Sequence, residues 1–193
     1  MPTASPTLTV LLGSVTPPGR LHRAISTATE RATARHAGST IATFDLAELQ
    51  IPFADGTPPA GDTARVVASV TDASAVLLAT PVYRGSPTGA LKNLLDHLPV
   101  PALRDTPVAI ATMGAGDHHY LGADRHLRDI LTFFGALTTP TSAYLTSRDF
   151  ADGVPSDDAL ARLDALIDSL LRLTALASDG RAFGPPPIGA GRG

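Results

Sequence analysis

Cysteine and tryptophan are absent from this sequence of 193 residues, and aromatic residues make up only 5% of it. Without cysteine the chain forms no disulfide bond, no thiolate zinc site and no thiol nucleophile. Because aromatic side chains are so few, we expect ligands to be held mainly by backbone groups, hydroxyls and small residues. The 15 basic and 18 acidic residues give a net charge of −3, which disfavours a general nucleic-acid binder.

Long apolar runs are missing as well. Runs such as 75–79 are far shorter than the roughly 20 residues that a membrane-spanning helix needs. Residues 1–6 carry no basic side chain and lead directly into a strand-like segment, unlike a secretory leader. We therefore expect no membrane partner and a cytoplasmic location.

Short apolar runs alternate with segments of helical periodicity, and this order repeats five times. Strands are predicted at 8–12, 40–44, 75–79, 108–112 and within 137–145, where Pro140 interrupts the strand early. Helices are predicted at 20–36, around 66–70, across 91–98, up to Gly135 and from about Ser156. Three strands are continuous apolar runs, which is typical of strands buried on both faces of a parallel sheet. The pattern predicts an α/β, flavodoxin-like, doubly wound sheet of five parallel strands with helices on both faces.

The length predicts a single domain, which we place at residues 1–176. Residues 177–193 form a different kind of segment. Of the fourteen residues from Gly180 to Gly193, eight are glycine or proline. Such a composition buries too little apolar surface to offset the entropy of ordering, so this tail is predicted to be disordered.

In an open parallel sheet, ligands bind beyond the carboxyl ends of the strands, where the strand order reverses. The loop after the first strand runs from Gly13 to Arg20 and contains the hydroxyls of Ser14 and Thr16. Hydroxyls and free N–H groups at a helix start favour an anion. The spacing fits neither the dinucleotide fingerprint nor the P-loop, so the loop predicts a monophosphate site. An ordinary capped turn is the alternative.

The loop after the third strand gathers polar groups around a scarce aromatic residue. Pro81 ends the strand because it has no N–H to pair. Tyr83, Arg84, Ser86 and Thr88 follow it. The spacing of glycine and serine here misses that of a hydrolase nucleophile elbow.

The loop after the fourth strand contains two glycines, Gly114 and Gly116, which allow a backbone to approach a planar ligand closely. Four possible metal ligands follow at His118, His119, Asp124 and His126. Adjacent histidines point in different directions, so the sequence disfavours a metal site.

The segment from Pro81 to Asp96 fits the pattern P-x-Y-x-x-S-x-x-G-x-L-K-x-x-x-D at every fixed position. Gly13-Ser14, the turn at Gly114 and a D-x-x-L-R-x-x-L helix at 124–131 add support. In these features the chain resembles the NADPH-dependent FMN reductase family over about residues 8–145. The branch that it resembles most supplies reduced FMN to partner monooxygenases.

The resemblance implies an FMN site that is built from the three loops. From the first loop, Ser14, Thr16 and Arg20 would bind the cofactor, with Ser14, Arg20 and the helix-start backbone on its phosphate. From the second, the binding residues would be Pro81, Val82, Tyr83, Arg84 and Ser86. From the third, they would be Thr112, Gly114, Ala115 and His118, with His119 as the other candidate for the histidine.

Two departures from the family pattern bear on affinity. Gly19 and Leu21 stand where relatives commonly have hydroxyls, and Met113 stands where a glycine is common. Losing two neutral hydrogen bonds would weaken FMN binding by roughly 1–3 kcal/mol. We therefore expect FMN to exchange as a substrate rather than to stay bound.

The predicted function is an NAD(P)H-dependent FMN reductase that passes hydride from NADPH or NADH to the flavin. The flavin carries the chemistry, so no catalytic acid, base or nucleophile is needed. An FMN-dependent quinone or azo reductase, a non-catalytic electron-transfer module and a member without flavin stay open as alternatives. The resemblance also implies a homodimer or homotetramer. The leucines of the helix at 91–98 agree with an interface, but they could equally pack on the sheet.

Overall fold

A parallel sheet with helices on both faces forms the body of the fold. The computed structural model describes residues 6–177 and 182–188. The strands are β1 (Thr7–Leu12), β2 (Thr40–Asp45), β3 (Ala75–Pro81), β4 (Pro107–Met113), β5 (Leu137–Thr138), β6 (Ala143–Leu145), β7 (Phe150–Ala151) and β8 (Val154–Pro155). The helices are α1 (Arg20–Arg35), α2 (Gly61–Thr71), α3 (Gly89–Asp96), α4 (Gly122–Phe134) and α5 (Asp157–Ala177).

The strand order is β2-β1-β3-β4-β5, and every pair in this sheet is parallel. This confirms the predicted flavodoxin-like sheet. The order reverses at β1, which lies between β2 and β3. In place of the predicted last strand there are two short strands, β5 and β6. The first pairs with the amino end of β4 and the second with its carboxyl end. Pro140 lies in the break between them, where its missing N–H leaves no ladder bond to form.

Alternate residues of the central strands point into two separate cores. Leu8, Val10 and Leu12 of β1 belong to the core under α1 and α5, whereas Leu11 belongs to the core on the other face. The second core also contains the leucines in and just after α3, which are almost fully buried: Leu91, Leu94, Leu95 and Leu98. Their own sheet therefore accounts for the burial of these leucines without a partner chain.

A small antiparallel hairpin, β7–β8, follows the sheet and lies against the start of α1. Phe150 packs against the α1–α5 core, and Arg23 donates a hydrogen bond of 2.6 Å to the carbonyl of Gly153. No pattern in the sequence indicated this hairpin. Strands of two residues are too short to show an alternating pattern.

The part of the tail that the structure describes lies near the amino end of β4. The Phe183 N–H donates to the Asp105 carboxylate at 3.1 Å, and the ring of Pro187 lies beside Gly135. Residues 178–181 and 189–193 lie outside the described residues. The prediction of a single domain at 1–176 with a disordered tail at 177–193 stays a prediction.

Among the described residues, no helix combines the length and the apolar character that crossing a membrane requires.

Candidate functional site

The three loops singled out in the sequence lie side by side, because β1, β3 and β4 are neighbours in the sheet. Backbone hydrogen bonds join the first residue of the first and second loops to the neighbouring strand. Gly13 N–H donates to Ala79 O at 2.7 Å, and Val82 N–H donates to Met113 O at 2.8 Å. The carboxyl edge of the sheet is therefore one continuous surface built from all three loops.

The first two loops are also joined through Thr88. Its buried hydroxyl donates to the carbonyl of Gly13 and accepts the N–H of Leu91 at 3.2 Å, which caps the start of α3. A Cβ at Gly13 would lie 2.9 Å from the Cβ of Leu91, so only glycine fits this crossing. Thr88 thus links the end of β1 to the start of α3.

The start of α1 offers groups that suit an anion. The hydroxyls of Ser14 and Thr16 lie 3.1 Å apart, and no side chain caps the helix at Gly19. Arg20, the first helical residue, is exposed and has its guanidinium carbon 5.8 Å from the centre of the Phe150 ring. Uncapped N–H groups, hydroxyls and a cation at a helix N-terminus favour a phosphate.

The second loop turns sharply at Tyr83–Ser86. Tyr83 and Ser86 exchange two backbone hydrogen bonds of 2.9 and 3.0 Å. The residues between them, Arg84 and Gly85, have φ values of 55° and 78°. Two left-handed central residues define a type I′ turn, which is uncommon for a residue with a Cβ such as Arg84. The Tyr83 ring at this turn is 45% exposed.

The N-terminal half of α4 supports this turn from the side. The hydroxyl of Ser86 lies 2.6 Å from Nδ1 of His126. A Cβ at Gly122 would lie 3.0 Å from the carbonyl oxygen of Gly85. From the sequence, His126 was a candidate only for metal binding, and its contact with Ser86 was not predicted. No local pattern could have shown it, because the two residues are 40 positions apart.

The third loop is closed by Tyr144, which reaches over it from β6. The Tyr144 hydroxyl donates a 2.6 Å hydrogen bond to the carbonyl of Gly116. A side chain at Gly114 would overlap that hydroxyl. Burial, with a smaller contribution from the charge of Asp117, raises the pKa of Tyr144 above its ordinary value, so the phenol stays a hydrogen-bond donor at neutral pH. No pattern in the sequence indicated this contact of Tyr144.

The remaining predicted residues of the third loop differ in exposure. Thr112 is buried inside β4, whereas Ala115 and His118 are exposed. The rings of His118 and His119 lie 4.0 Å apart. Within residues 6–177 and 182–188, no group of three histidine or acidic side chains is placed to hold a metal ion.

Comparison with known proteins identifies the family. A family model for NADPH-dependent FMN reductases matches residues 6–151, which include all three loops. The chain belongs to this family. The resemblance found in the sequence is thereby confirmed.

The family relatives include bacterial enzymes. The chain is 42% identical over 96 residues to the NADH-dependent FMN reductase SfnF of Pseudomonas fluorescens, covering 49% of this chain and 51% of the relative. It is 42% identical over 85 residues to an FMN reductase (NADPH) of Pseudomonas aeruginosa, covering 44% and 46%. The chain thus spans about half the length of these curated relatives.

Solved structures share the fold along nearly the whole chain. An oxidoreductase from Corynebacterium diphtheriae superposes with a TM-score of 0.75 at 26% identity, covering 90% of this chain and 99% of that one. The flavoenzyme FerB of Paracoccus denitrificans, an NAD(P)H:acceptor oxidoreductase, gives 0.71 at 21% identity and covers 89% and 98%. The similarity to FerB, at 21% identity, shows a shared fold and nothing further.

The residues at the site fit the FMN after which this family is named. The uncapped start of α1 with its two hydroxyls suits the phosphate. The turn at Tyr83 presents an exposed ring to a planar group.

Proposed function

We propose that the protein is an NAD(P)H-dependent FMN reductase. One observation carries the proposal: the phosphate-type helix start and the two loops suited to a flavin ring lie on adjacent strands at one edge of the sheet. The family match and the names of the relatives support the same activity.

In this proposal the first loop holds the phosphate. Ser14 and Thr16 donate from their hydroxyls, Arg20 supplies the positive charge, and the first-turn N–H groups of α1 add the positive end of the helix dipole. Each of these groups is already in place at the helix start, so binding requires little reordering.

The second and third loops hold the ring. Pro81, Val82 and the Tyr83–Ser86 turn, with Arg84 at its centre, line one side. Thr112, Gly114, Ala115 and His118 line the other side. When bound, FMN would supply the hydride chemistry as the acceptor for NADH or NADPH. The protein positions the two substrates and offers N–H groups or a cation where negative charge grows.

A phosphate site with few side-chain donors at the helix start would retain FMN weakly, which fits a supply role. Gly19 has no side chain to cap α1, and Leu21 has no hydroxyl to offer the phosphate. We propose that FMN enters as a substrate, leaves reduced and is passed to a partner monooxygenase. The cytoplasmic location expected from the sequence stays a prediction.

We further propose that the protein assembles as a homodimer or homotetramer, as the resemblance implies. The buried leucines of α3 do not support this assembly, because they already pack in the hydrophobic core of their own chain. Sedimentation equilibrium would report two or four times the 19.8 kDa chain mass. A monomer at micromolar concentration would contradict the assembly but not the activity.

Steady-state oxidation of NADH and of NADPH by the purified protein, with and without added FMN, tests the function. We expect oxidation to depend on added FMN and to saturate with it. If folded protein oxidises neither nucleotide at any FMN concentration, the proposed function is wrong. Activity with quinones or azo dyes but not with free FMN as the final acceptor would favour the alternative reductases.

A further inference from the structure

A cavity of about 590 Å³ lies beside the third loop, at the lateral edge of the sheet. It opens where the last strand is broken into β5 and β6, and α5 forms its other wall. The α5 residues that line it include Ala165 and Ser169, whose short side chains leave the space open. Its volume falls in the range of about 300–1,000 Å³ that is usual for small-molecule sites.

Tyr144 connects this cavity with the FMN site. Its ring lines the cavity, while its hydroxyl donates to the carbonyl of Gly116 in the third loop. A second ring, that of Tyr120, meets it edge to face with centroids 5.6 Å apart. One tyrosine side chain therefore separates the cavity from the loop that faces the flavin ring.

The lining has the groups that a nucleoside needs. The Tyr120 ring is 53% exposed and offers a face for stacking. The hydroxyls of Thr141, Ser142 and Ser169 can bond to a ribose. Arg162 adds a cation whose charge is balanced by an ion pair with Asp149.

We propose that this cavity binds the adenosine half of the nicotinamide cofactor. The inference rests on the proposed reductase function, which requires NADH or NADPH to lie with its nicotinamide on the flavin. A nicotinamide dinucleotide has two planar ends joined by a flexible pyrophosphate. Its second end needs a site of its own within reach of the third loop, and this cavity meets that need.

ADP-ribose tests the proposal without flavin and without turnover. Calorimetric titration of the full-length protein should show binding of ADP-ribose. Ala165→Trp fills the cavity from α5 and should weaken that binding at least about tenfold, or about 1.4 kcal/mol. Ala161→Trp is the matched control, because Ala161 is exposed on the same helix and does not line the cavity. It should bind ADP-ribose like the wild type.

Kinetics give the second readout. Ala165→Trp should raise the KM for NADH by a similar factor and leave kcat and the Kd for FMN unchanged. If Ala165→Trp fails to fold, Tyr120→Ala serves instead, since removal of an exposed ring spares the core. It too should weaken ADP-ribose binding, with Phe133→Ala, another exposed ring, as its control.

Three results would overturn the proposal: no ADP-ribose binding by the wild type, equal binding by Ala165→Trp, or a change of assembly state in Ala165→Trp with ADP-ribose binding intact. The last would make the cavity an interface between copies of the chain. Failure of the reductase function is distinguishable, because it would abolish FMN-dependent oxidation while ADP-ribose binding stayed sensitive to Ala165→Trp.

Discussion

At the scale of single residues, the third loop depends on how closely Gly114 approaches Tyr144. A methyl group at position 114 would overlap the Tyr144 hydroxyl and break its hydrogen bond to Gly116. We expect Gly114→Ala to lower the free energy of unfolding by about 1–3 kcal/mol, measured by urea denaturation. The double variant Gly114→Ala/Tyr144→Phe should lose less unfolding free energy than the two single variants lose in sum. Strict additivity would contradict this contact.

The phosphate assignment depends on Arg20. Arg20→Ala should weaken FMN binding about 10- to 100-fold, since a hydrogen bond to a charged group contributes about 1.5–3 kcal/mol. Quenching of FMN fluorescence measures the Kd. Arg65→Ala removes the same charge from α2, where Arg65 pairs with Asp62, and should leave the Kd unchanged. Equal FMN affinities for the two variants would show that Arg20 does not bind the phosphate.

Contacts between residues far apart in the chain could not be predicted from the sequence. Ser14, Thr16 and Arg20 could be proposed as phosphate-binding residues from the sequence, because hydroxyls and a cation at a strand-to-helix loop carry a local signal. The contact of Tyr144 could not be predicted, because its partner Gly116 lies 28 positions away. A contact of that span depends on the break between β5 and β6, which sets the position of Tyr144 relative to β4.

At the scale of elements, the β7–β8 hairpin holds the start of α1. Phe150 of the hairpin lies under the guanidinium of Arg20, and Gly153 accepts a hydrogen bond from Arg23. The hairpin therefore orients the cation that we assign to the phosphate.

This role predicts a graded response at Phe150. Phe150→Leu keeps apolar packing but removes the ring face, so the Kd for FMN should rise several-fold, given about 0.5–1 kcal/mol for an exposed cation–π contact. Phe150→Tyr should keep the wild-type Kd, and kcat at saturating FMN should not change in either variant. Identical FMN affinities for the leucine and tyrosine variants would show that the ring does not orient Arg20.

Helices α1 and α5 are joined by an ion-pair cluster on one side of the sheet. Arg35 pairs with Asp164 at 3.0 Å and with Asp168 at 3.2 Å, and His36 lies 2.7 Å from Asp168. Burial alone would raise the pKa of Asp168, but the hydrogen bonds from His36 and Arg35 hold it below its ordinary value.

A lowered carboxyl pKa in the folded state adds stability above the ordinary pKa of about 3.9, and that stability is lost as the pH falls through the folded value. Asp168→Asn should therefore destabilise the protein at pH 7, by less than about 1 kcal/mol because the pair is partly exposed. The difference from the wild type should shrink below about pH 4. Thermal unfolding between neutral and acid pH measures it, with the exposed Asp129→Asn as control. A difference that stays constant down to acid pH would contradict the linkage.

At the scale of the whole molecule, much of the sheet could be predicted from the sequence. Buried parallel strands are continuous apolar runs, so β1, β3 and β4 were recognisable, and Pro140 showed where the last strand breaks. The hairpin was not recognisable, because its two-residue strands depend on contacts with α1 rather than on local preference.

At the candidate site, too, local features could be predicted and long-range contacts could not. The meeting of the three loops could be predicted from the sequence, because neighbouring parallel strands bring their carboxyl ends to one edge of the sheet. The supporting residues His126, Thr88 and Tyr144 could not be assigned these contacts, since each acts on a loop distant in sequence.

The central claim is that this edge of the sheet brings FMN and a nicotinamide cofactor together for hydride transfer. The most direct test mixes the protein anaerobically with equimolar FMN and NADH or NADPH and follows both absorbances in one turnover. We predict that oxidised flavin and reduced nicotinamide disappear together, one for one, much faster than without protein and more slowly with Arg20→Ala at subsaturating FMN. If protein that binds FMN leaves the reaction as slow as free FMN alone, the account is contradicted.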